Sequence, residues 1–372
     1  KNNGKDSSWN DLKSEVLSDL NSVSKKKGKV VLLTQTFASP TTNKIIGDLI
    51  AKFPNIEHVI LDTVPSNYAV ESFQDVYGFK GLVDYDFSKS NFIVSVGADF
   101  LGDWQGGGYD TKYVGNRVPD KKTGKGKMSK HIQFEANMTL SGANADIRVP
   151  ATPSEQKKIF SYIYSSVKGM NSKVKLSPEH IKNAKFAADG IKKFGSKAVI
   201  ISGIDDKEVQ DLILDLNNHI KCSAIDSSAR LTRTQSGIEV DAFIKQLLDG
   251  KISGLITAGV NPVYSLSLGE KIKDAISDLD FSLSFSMKED ETSSVCKYIA
   301  AVPHYLESWG DYEFKEGHYF LAQPTIRPLF NTMQFQDFVL SILDSSKDYH
   351  ATIKEFWTQN ILNRKSWNKV LH

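Results

Sequence analysis

Cysteine is nearly absent: the 372 residues hold only Cys222 and Cys296. A cubane iron–sulfur cluster or a Cys-rich zinc site takes about four ligands, mostly thiolates, so this chain alone does not hold a conventional cluster. The two cysteines fall in different expected elements and read as separate buried thiols, not as a disulfide or a nucleophile. There is no apolar run near the roughly 20 residues that a membrane-spanning helix needs. Charge of one sign is also missing: 46 Lys plus Arg stand against 44 Asp plus Glu, a net +2, so no global field draws the chain onto nucleic acid or anionic lipid. No GxSxG elbow, HExxH pair or GxGxxG fingerprint occurs, and the eight His are scattered without metal-ligand spacing. The chain opens with Lys1-Asn2-Asn3 instead of Met and an apolar signal region, which predicts a processed or excised chain.

What is present is an ordinary globular balance, 40% hydrophobic and 24% charged, at a length that predicts two domains. Short β-rich apolar runs alternate with amphipathic stretches, which predicts an α/β fold of two wound, mostly parallel sheets. The first series of strands is expected at residues 30–33, 58–61, 92–96, 131–136 and 146–149, and the second at 198–202, 223–226, 254–258, 281–285 and 298–302. Between the first two, Ser39-Pro40-Thr41 supplies a cap and an early proline. Ile45, Ile46, Leu49, Ile50 and Phe53 then share one helical face until Pro54. The polar link at 171–176 predicts a boundary, giving domains at 1–170 and 171–345 and a helical segment at 346–372. The Lys-rich stretch 117–130 reads as a solvated loop, with docking through Lys121, Lys122 and Lys125 as its functional reading, and 303–328 reads as an irregular loop locked by aromatic packing.

Two turns stand out at the carboxyl ends of expected strands, Gly97-Ala98-Asp99 and Gly259-Val260-Asn261-Pro262. Wound sheets bind ligands at such ends, so the pair predicts similar halves facing a shared cleft. A third polar and aromatic run is Glu307-Ser308-Trp309-Gly310-Asp311. His131 and His304 lie near strand ends and read as hydrogen-bonded structural histidines. The residues alone lead to a cleft with no visible catalytic constellation.

Taken in order, these turns resemble the molybdopterin oxidoreductase superfamily over residues 29–343: Gly97-Ala98-Asp99; Thr139-Leu140-Ser141-Gly142-Ala143-Asn144-Ala145-Asp146 with Pro150 and Pro153; Gly259-Val260-Asn261-Pro262; Glu291-Thr292; Pro303; Glu307 to Asp311; Gln323-Pro324. The resemblance implies two homologous α/β domains, one inserted in the other, flanking a cleft for a bis-pterin guanine dinucleotide metal cofactor. It implies a vestigial cleft of Gly97, Asp99, Thr139, Gly142, Asp146, Pro153, Ser154, Gly259, Asn261, Pro262, Glu307, Trp309 and Gly310. Cofactor-binding members carry Pro-Gly-Thr-Asp where this chain has Pro153-Ser154-Glu155-Gln156. Where their metal-ligating Cys or selenocysteine falls, the chain reads Thr63-Val64-Pro65-Ser66-Asn67. Ser66 reads as a turn residue, and as an oxygen ligand to a metal only in the alternative below.

The combination is most similar to the cofactor-less molybdopterin-like region of the iron–sulfur subunit of alternative complex III, the bacterial quinol:electron-acceptor oxidoreductase. That resemblance implies no catalysis and no cofactor in this chain, with iron–sulfur clusters in a ferredoxin-like region outside it. It also implies partnership with other subunits of a membrane-bound respiratory complex at the periplasmic face of the inner membrane, with neither nucleic acid nor direct membrane insertion. The alternatives are a fragment of a true molybdenum or tungsten bis-pterin enzyme, the cofactor-free large subunit of a respiratory NADH dehydrogenase, and a stand-alone nucleotide-binding enzyme.

Overall fold

The structure, a computed structural model, describes residues 1–64, 66–119, 122–124 and 128–371. Pro65 of the expected ligand turn and Lys121 and Lys125 of the Lys-rich stretch lie outside the described residues. In chain order the strands are β1 (Val30–Thr34), β2 (Ile56–Ile60), β3 (Leu82–Tyr85), β4 (Phe92–Val96), β5 (Lys130–Glu135), β6 (Ile147–Pro150), β7 (Ala198–Ser202), β8 (Ile225–Leu231), β9 (Gly254–Ala258), β10 (Phe281–Ser286), β11 (Tyr298–Ala301), β12 (Gly310–Lys315) and β13 (His318–Ala322).

Two compact units divide the chain, Lys1–Pro65 with Thr234–His372 as the first and Ser66–Arg233 as the second. This differs from the expected boundaries at 170 and 345. The reason is non-local: β9 returns to pair in parallel with β1, Val30 opposite Gly254 through Thr34 opposite Ala258, so the two series of strands share a sheet. The polar link at 171–176 only joins helices Pro153–Val167 and Pro178–Phe194, whose Ile159, Ile163, Ala184 and Ala188 enter the same core.

The sheet of the first unit runs β11-β10-β9-β1-β2, every pair parallel. Successive side chains on a strand point to opposite faces, and here both faces are apolar, as a sheet covered on both sides requires. Val30, Leu32, Ile256, Leu283 and Phe285 meet helices Trp9–Lys25, Pro40–Lys52, Phe335–Ile342 and Tyr349–Asn360 in one core. Val31, Leu33, Val59 and Leu255 meet helices Gly237–Leu248 and Gly269–Ser277 in another. Each fully buried Val, Leu, Ile or Phe contributes roughly 1.5–3 kcal/mol. The stretch expected as an irregular loop at 303–328 instead contains the antiparallel hairpin β12–β13, Gly310 opposite Ala322, turned at Gly317 with φ +78°.

The sheet of the second unit runs β6-β5-β4-β7, again all parallel. Phe92, Val94, Val96, Phe134 and Ile200 face the helices Pro153–Val167 and Pro178–Phe194, while Ile93, Val199 and Ile201 face an aromatic core of Phe73, Phe87, Phe100 and Tyr109. β3 and β8 pair antiparallel outside this parallel sheet. Both cysteines are free thiols, and burial pushes Cys222 up to about 11 and Cys296 up to about 12, so neither is poised as a nucleophile. No helix among the described residues is long and apolar enough to cross a membrane.

Candidate functional site

In an open wound sheet the natural ligand position is the switch point, where strand order reverses and the carboxyl ends of two neighbouring strands splay apart. The first unit has its switch between β1 and β9, the second between β4 and β7. Both sequence-expected glycine turns sit there. Gly97 follows β4 at φ +75° and Gly259 follows β9 at φ +71°, left-handed conformations that L side chains adopt only with strain.

Around Gly97 the space is filled by protein. A Cβ on Gly97 would stand 2.5 Å from Gln156 Oε1, and one on Gly203 would collide with the Gly97 carbonyl. Gly97 N–H donates to Phe134 O at 2.8 Å and Gly203 N–H to Val96 O at 3.0 Å, so neither amide is free to meet a phosphate. Pro153 opens helix Pro153–Val167, and Thr152 and Glu155 form a reciprocal capping box at its start. Thr152 N–H and Oγ1 both donate to Glu155 Oε2, at 2.9 and 2.8 Å, and Ser154 Oγ lies 3.3 Å from Thr152 Oγ1. A carboxylate therefore already occupies a helix N-terminus that would otherwise attract an anion.

The next residues converge on an acid that the motifs did not flag. Glu135, at the end of β5 and 2% exposed, accepts from Arg148 Nε at 2.5 Å, Thr139 Oγ1 at 2.6 Å, and Thr139 N–H and Gln133 Nε2 at 3.3 Å each. Gly142 is required beneath it, since any Cβ there would collide with the carboxylate. Asp99 Oδ1 accepts Ser141 N–H at 2.9 Å. The structure thus brings Asp99, Thr139 and Gly142 to one corner. Asp146 is elsewhere, at the amino edge of the sheet, where it takes a two-pronged contact from Arg117 at 3.0 and 3.2 Å and His131 N–H at 2.7 Å. The Arg117 guanidinium and the His131 amide hold its carboxyl below the ordinary range against the opposing effect of burial. Ser66 precedes helix Asn67–Tyr77, with no side-chain cap bond.

At the β1/β9 switch the first unit has a cavity of about 720 Å3, within the size range of small-molecule sites. Its lining comes from the carboxyl ends of β2, β9, β10 and β11: Leu61 and Thr63, Gly259 to Asn261 with Tyr264, Phe285 to Lys288 with Asp290 and Glu291, and Val302. Asn261 is fully engaged: Nδ2 donates to Glu291 Oε2 at 2.7 Å, and Oδ1 accepts Thr292 Oγ1 at 2.6 Å and Tyr264 N–H at 3.3 Å. The Asn261 bond holds the Glu291 carboxyl below its ordinary range. Pro262 follows at the first position of a four-residue helix. Two carboxylates against Lys288 leave the rim net negative, which opposes a polyphosphate ligand. Glu307, Trp309 and Gly310 do not line this cavity. Glu307 accepts His304 and Leu329 N–H at 3.0 and 3.1 Å, Trp309 stacks on His350 at 4.0 Å, and Gly310 begins β12. Among the described residues, no group of three or more His, Cys, Asp or Glu is arranged to hold a metal ion.

No family model matches the chain. A stretch of 86 residues, 22% of the chain, is 34% identical to the menaquinone reductase, molybdopterin-binding-like subunit, of Nitratidesulfovibrio vulgaris. Among solved structures, acetylene hydratase from Pelobacter acetylenicus superposes on 98% of the chain with TM-score 0.67 at 10% identity. Over the 86-residue stretch the chain is similar to a molybdopterin-binding-like subunit, and as a whole it has a molybdopterin oxidoreductase-like fold. A chain of the formyltransferase/hydrolase complex from Methylorubrum extorquens also shares the architecture, over 95% of this chain and 99% of that one, with TM-score 0.59 at 11% identity. The match to the menaquinone reductase subunit spans 12% of that protein, and the chain spans 63% of acetylene hydratase. This molybdopterin oxidoreductase-like chain thus corresponds to part of the length of each.

Proposed function

We propose that the chain is a non-catalytic, cofactor-free structural region of a membrane-bound respiratory quinol:electron-acceptor oxidoreductase of the alternative complex III kind, positioned on the periplasmic face of the inner membrane and held there by partner subunits. Its redox groups lie outside it, with iron–sulfur clusters in a ferredoxin-like region. The observation that carries this reading is the filling of the second unit's strand-end turn by the chain's own groups. Gln156 covers Gly97, the amides of Gly97 and Gly203 are bonded within the sheet, and Glu155 caps the adjoining helix. A bis-pterin guanine dinucleotide brings several phosphates into a site that would have to neutralise them with Arg, Lys or free amides. These residues do not fit that group.

The similarity to a molybdopterin-binding-like subunit favours a place in a multisubunit quinone-linked assembly. The test is elemental and chemical: molybdenum and tungsten by mass spectrometry, and fluorescence of oxidised pterin released on denaturation, on protein from its native, cofactor-competent host. The expected result is neither metal nor pterin near one per chain. Near-stoichiometric amounts of both would overturn the reading and make Ser66 a ligand candidate.

A further inference from the structure

The near-neutral total charge conceals a local excess. Residues 171–197 of the second unit hold seven lysines against Glu179 and Asp189, a net +5 in a chain whose total is +2. Helix Pro178–Phe194 organises them. Its inward face is small, Ala184, Ala187 and Ala188 with Ile191, and Gly190 sits so close to Phe92 of β4 that a Cβ there would collide with the ring. The helix is therefore seated firmly on the sheet, and its outward face is fixed. At about 100° per residue, Lys182, Lys185, Lys192 and Lys193 fall on one outward stripe, together with Ile181, Phe186 and the single acid Asp189. All four lysines are exposed, and Ile181 and Phe186 are each 38% exposed. Lys173 and Lys175 in the link before the helix and Lys197 just after it add cations at its two ends.

The chain's own carboxylates do not neutralise this face. Among the described residues none of the seven lysines has an ion pair, whereas Lys157, Lys168, Lys207 and Lys297 each hold an aspartate at 2.6 to 2.8 Å. Like charges gathered on one helix stripe repel each other, so the arrangement costs the fold stability and calls for a counter-charge from outside it.

Composition identifies the occupant. Acidic protein surfaces and nucleic acids present fixed carboxylates or phosphates that the planar guanidinium of Arg receives in two-pronged fashion, and protein interfaces are depleted in Lys. No arginine occurs in 171–197. The point charge and flexible stem of Lys suit a fluid array of headgroups instead. A helix that carries about four to eight cations, with apolar groups between them, matches an anionic bilayer surface.

We propose that the outward face of helix Pro178–Phe194 docks on the headgroups of anionic phospholipid, with Ile181 and Phe186 meeting the headgroup layer. The contact is peripheral, and no segment crosses the bilayer. It rests on the reading above that the chain works in a membrane-bound assembly, and it adds a lipid contact to the partner contacts.

The test is sedimentation of the full chain with vesicles of phosphatidylcholine, with and without phosphatidylglycerol, at low and high salt. The expected result is binding to the anionic vesicles only, lost as salt screens the charges. Lys182→Gln, Lys185→Gln, Lys192→Gln and Lys193→Gln together should lower the partition coefficient about tenfold or more with an unchanged melting temperature. Lys25→Gln, Lys245→Gln, Lys271→Gln and Lys354→Gln remove the same charge from exposed positions of the first unit and should lower it less than about twofold. Absence of binding by the wild type, or equal losses in the two variants, overturns the proposal. As a second measurement, a photo-reactive benzoylphenylalanine at Ile181, irradiated in the intact assembly in native membranes, should give an adduct with lipid. An adduct with another polypeptide or a second copy overturns the proposal in favour of a protein partner. Vesicle binding depends on the chain and the lipid alone, so its failure removes the docking face and leaves the scaffold reading standing. Near-stoichiometric metal and pterin would remove the scaffold reading without touching the vesicle result.

Discussion

His131 on β5 illustrates how this chain uses its polar residues. The ring is wholly out of contact with solvent, with Nε2 3.1 Å from Gln133 Oε1 and Nδ1 3.2 Å from the Tyr113 hydroxyl. Gln133 turns its amide NH2 to the Ala98 carbonyl and Glu135, so its oxygen faces the ring and Nε2 carries the proton. Burial lowers the His131 pKa from 6.5 to about 4, because a charged imidazolium would lose its hydration there. The sign follows directly. Above pH 6.5 the ring is neutral in both states and its contribution is fully present. As the pH falls from 6.5 to about 4 the unfolded chain binds a proton that the folded one refuses, and stability declines. The loss from this one group is on the order of 3 kcal/mol. Urea unfolding across that window should show wild type losing this increment and His131→Gln largely lacking it. Parallel losses in the two proteins would remove the assignment.

Among elements, one carboxylate on β12 holds two helices. Asp311 is 0% exposed and accepts from Ser39 Oγ at 2.5 Å, Thr41 Oγ1 at 2.6 Å, Thr41 N–H at 3.3 Å, Trp357 Nε1 at 2.9 Å and Tyr349 Oη at 3.4 Å. Ser39 and Thr41 begin helix Pro40–Lys52, so the negative charge also faces the favourable end of a helix dipole. Asp311→Ala would leave these donors buried without an acceptor and should cost about 3–5 kcal/mol, read as a lower denaturation midpoint by Trp fluorescence. A change under about 1 kcal/mol would show the network to be replaceable. The helix it anchors was legible from local signals, Ser39 before Pro40 and an apolar face at Ile45, Ile46 and Leu49, and the structure ends it at Lys52. Strands β4, β7 and β9 were equally legible, being short apolar runs that carry their burial in their composition. The hairpin β12–β13 was not. Its outward aromatics, Phe314 and Phe320, erase the alternation that marks a half-buried strand, and its pairing shifts register between Tyr312 and Lys315. At the candidate site the turns at Gly97 and Gly259 could be read from strand-end glycines. The partners that close them, Gln156 over Gly97 and Arg148 on Glu135, arrive from other strands and helices, and nothing local announces them.

For the whole molecule, local patterning put the boundaries at 170 and 345, whereas the resemblance implied one domain inserted in the other, and the inserted arrangement makes a prediction of its own. The second unit is an insertion: the chain leaves the first after β2 and returns before β9, and the strands on either side complete one parallel sheet, β11-β10-β9-β1-β2. The two points of departure and return lie together within the first unit. Asp62 N–H donates to Gln235 Oε1, and the Thr36 and Thr234 hydroxyls are 3.4 Å apart. Among the described residues, the first unit's two apolar cores are built from its own residues, and the second unit's two from residues 66–233. Insertions whose ends are close and whose cores are private are those that excision tolerates. Replacing residues 66–233 by a short Gly/Ser linker should therefore leave a chain with a parallel-sheet circular dichroism spectrum, near-ultraviolet aromatic signal and a cooperative melt. A product with secondary structure but no near-ultraviolet signal, binding a hydrophobic dye, would mean that the first unit needs the inserted one to fix its packing.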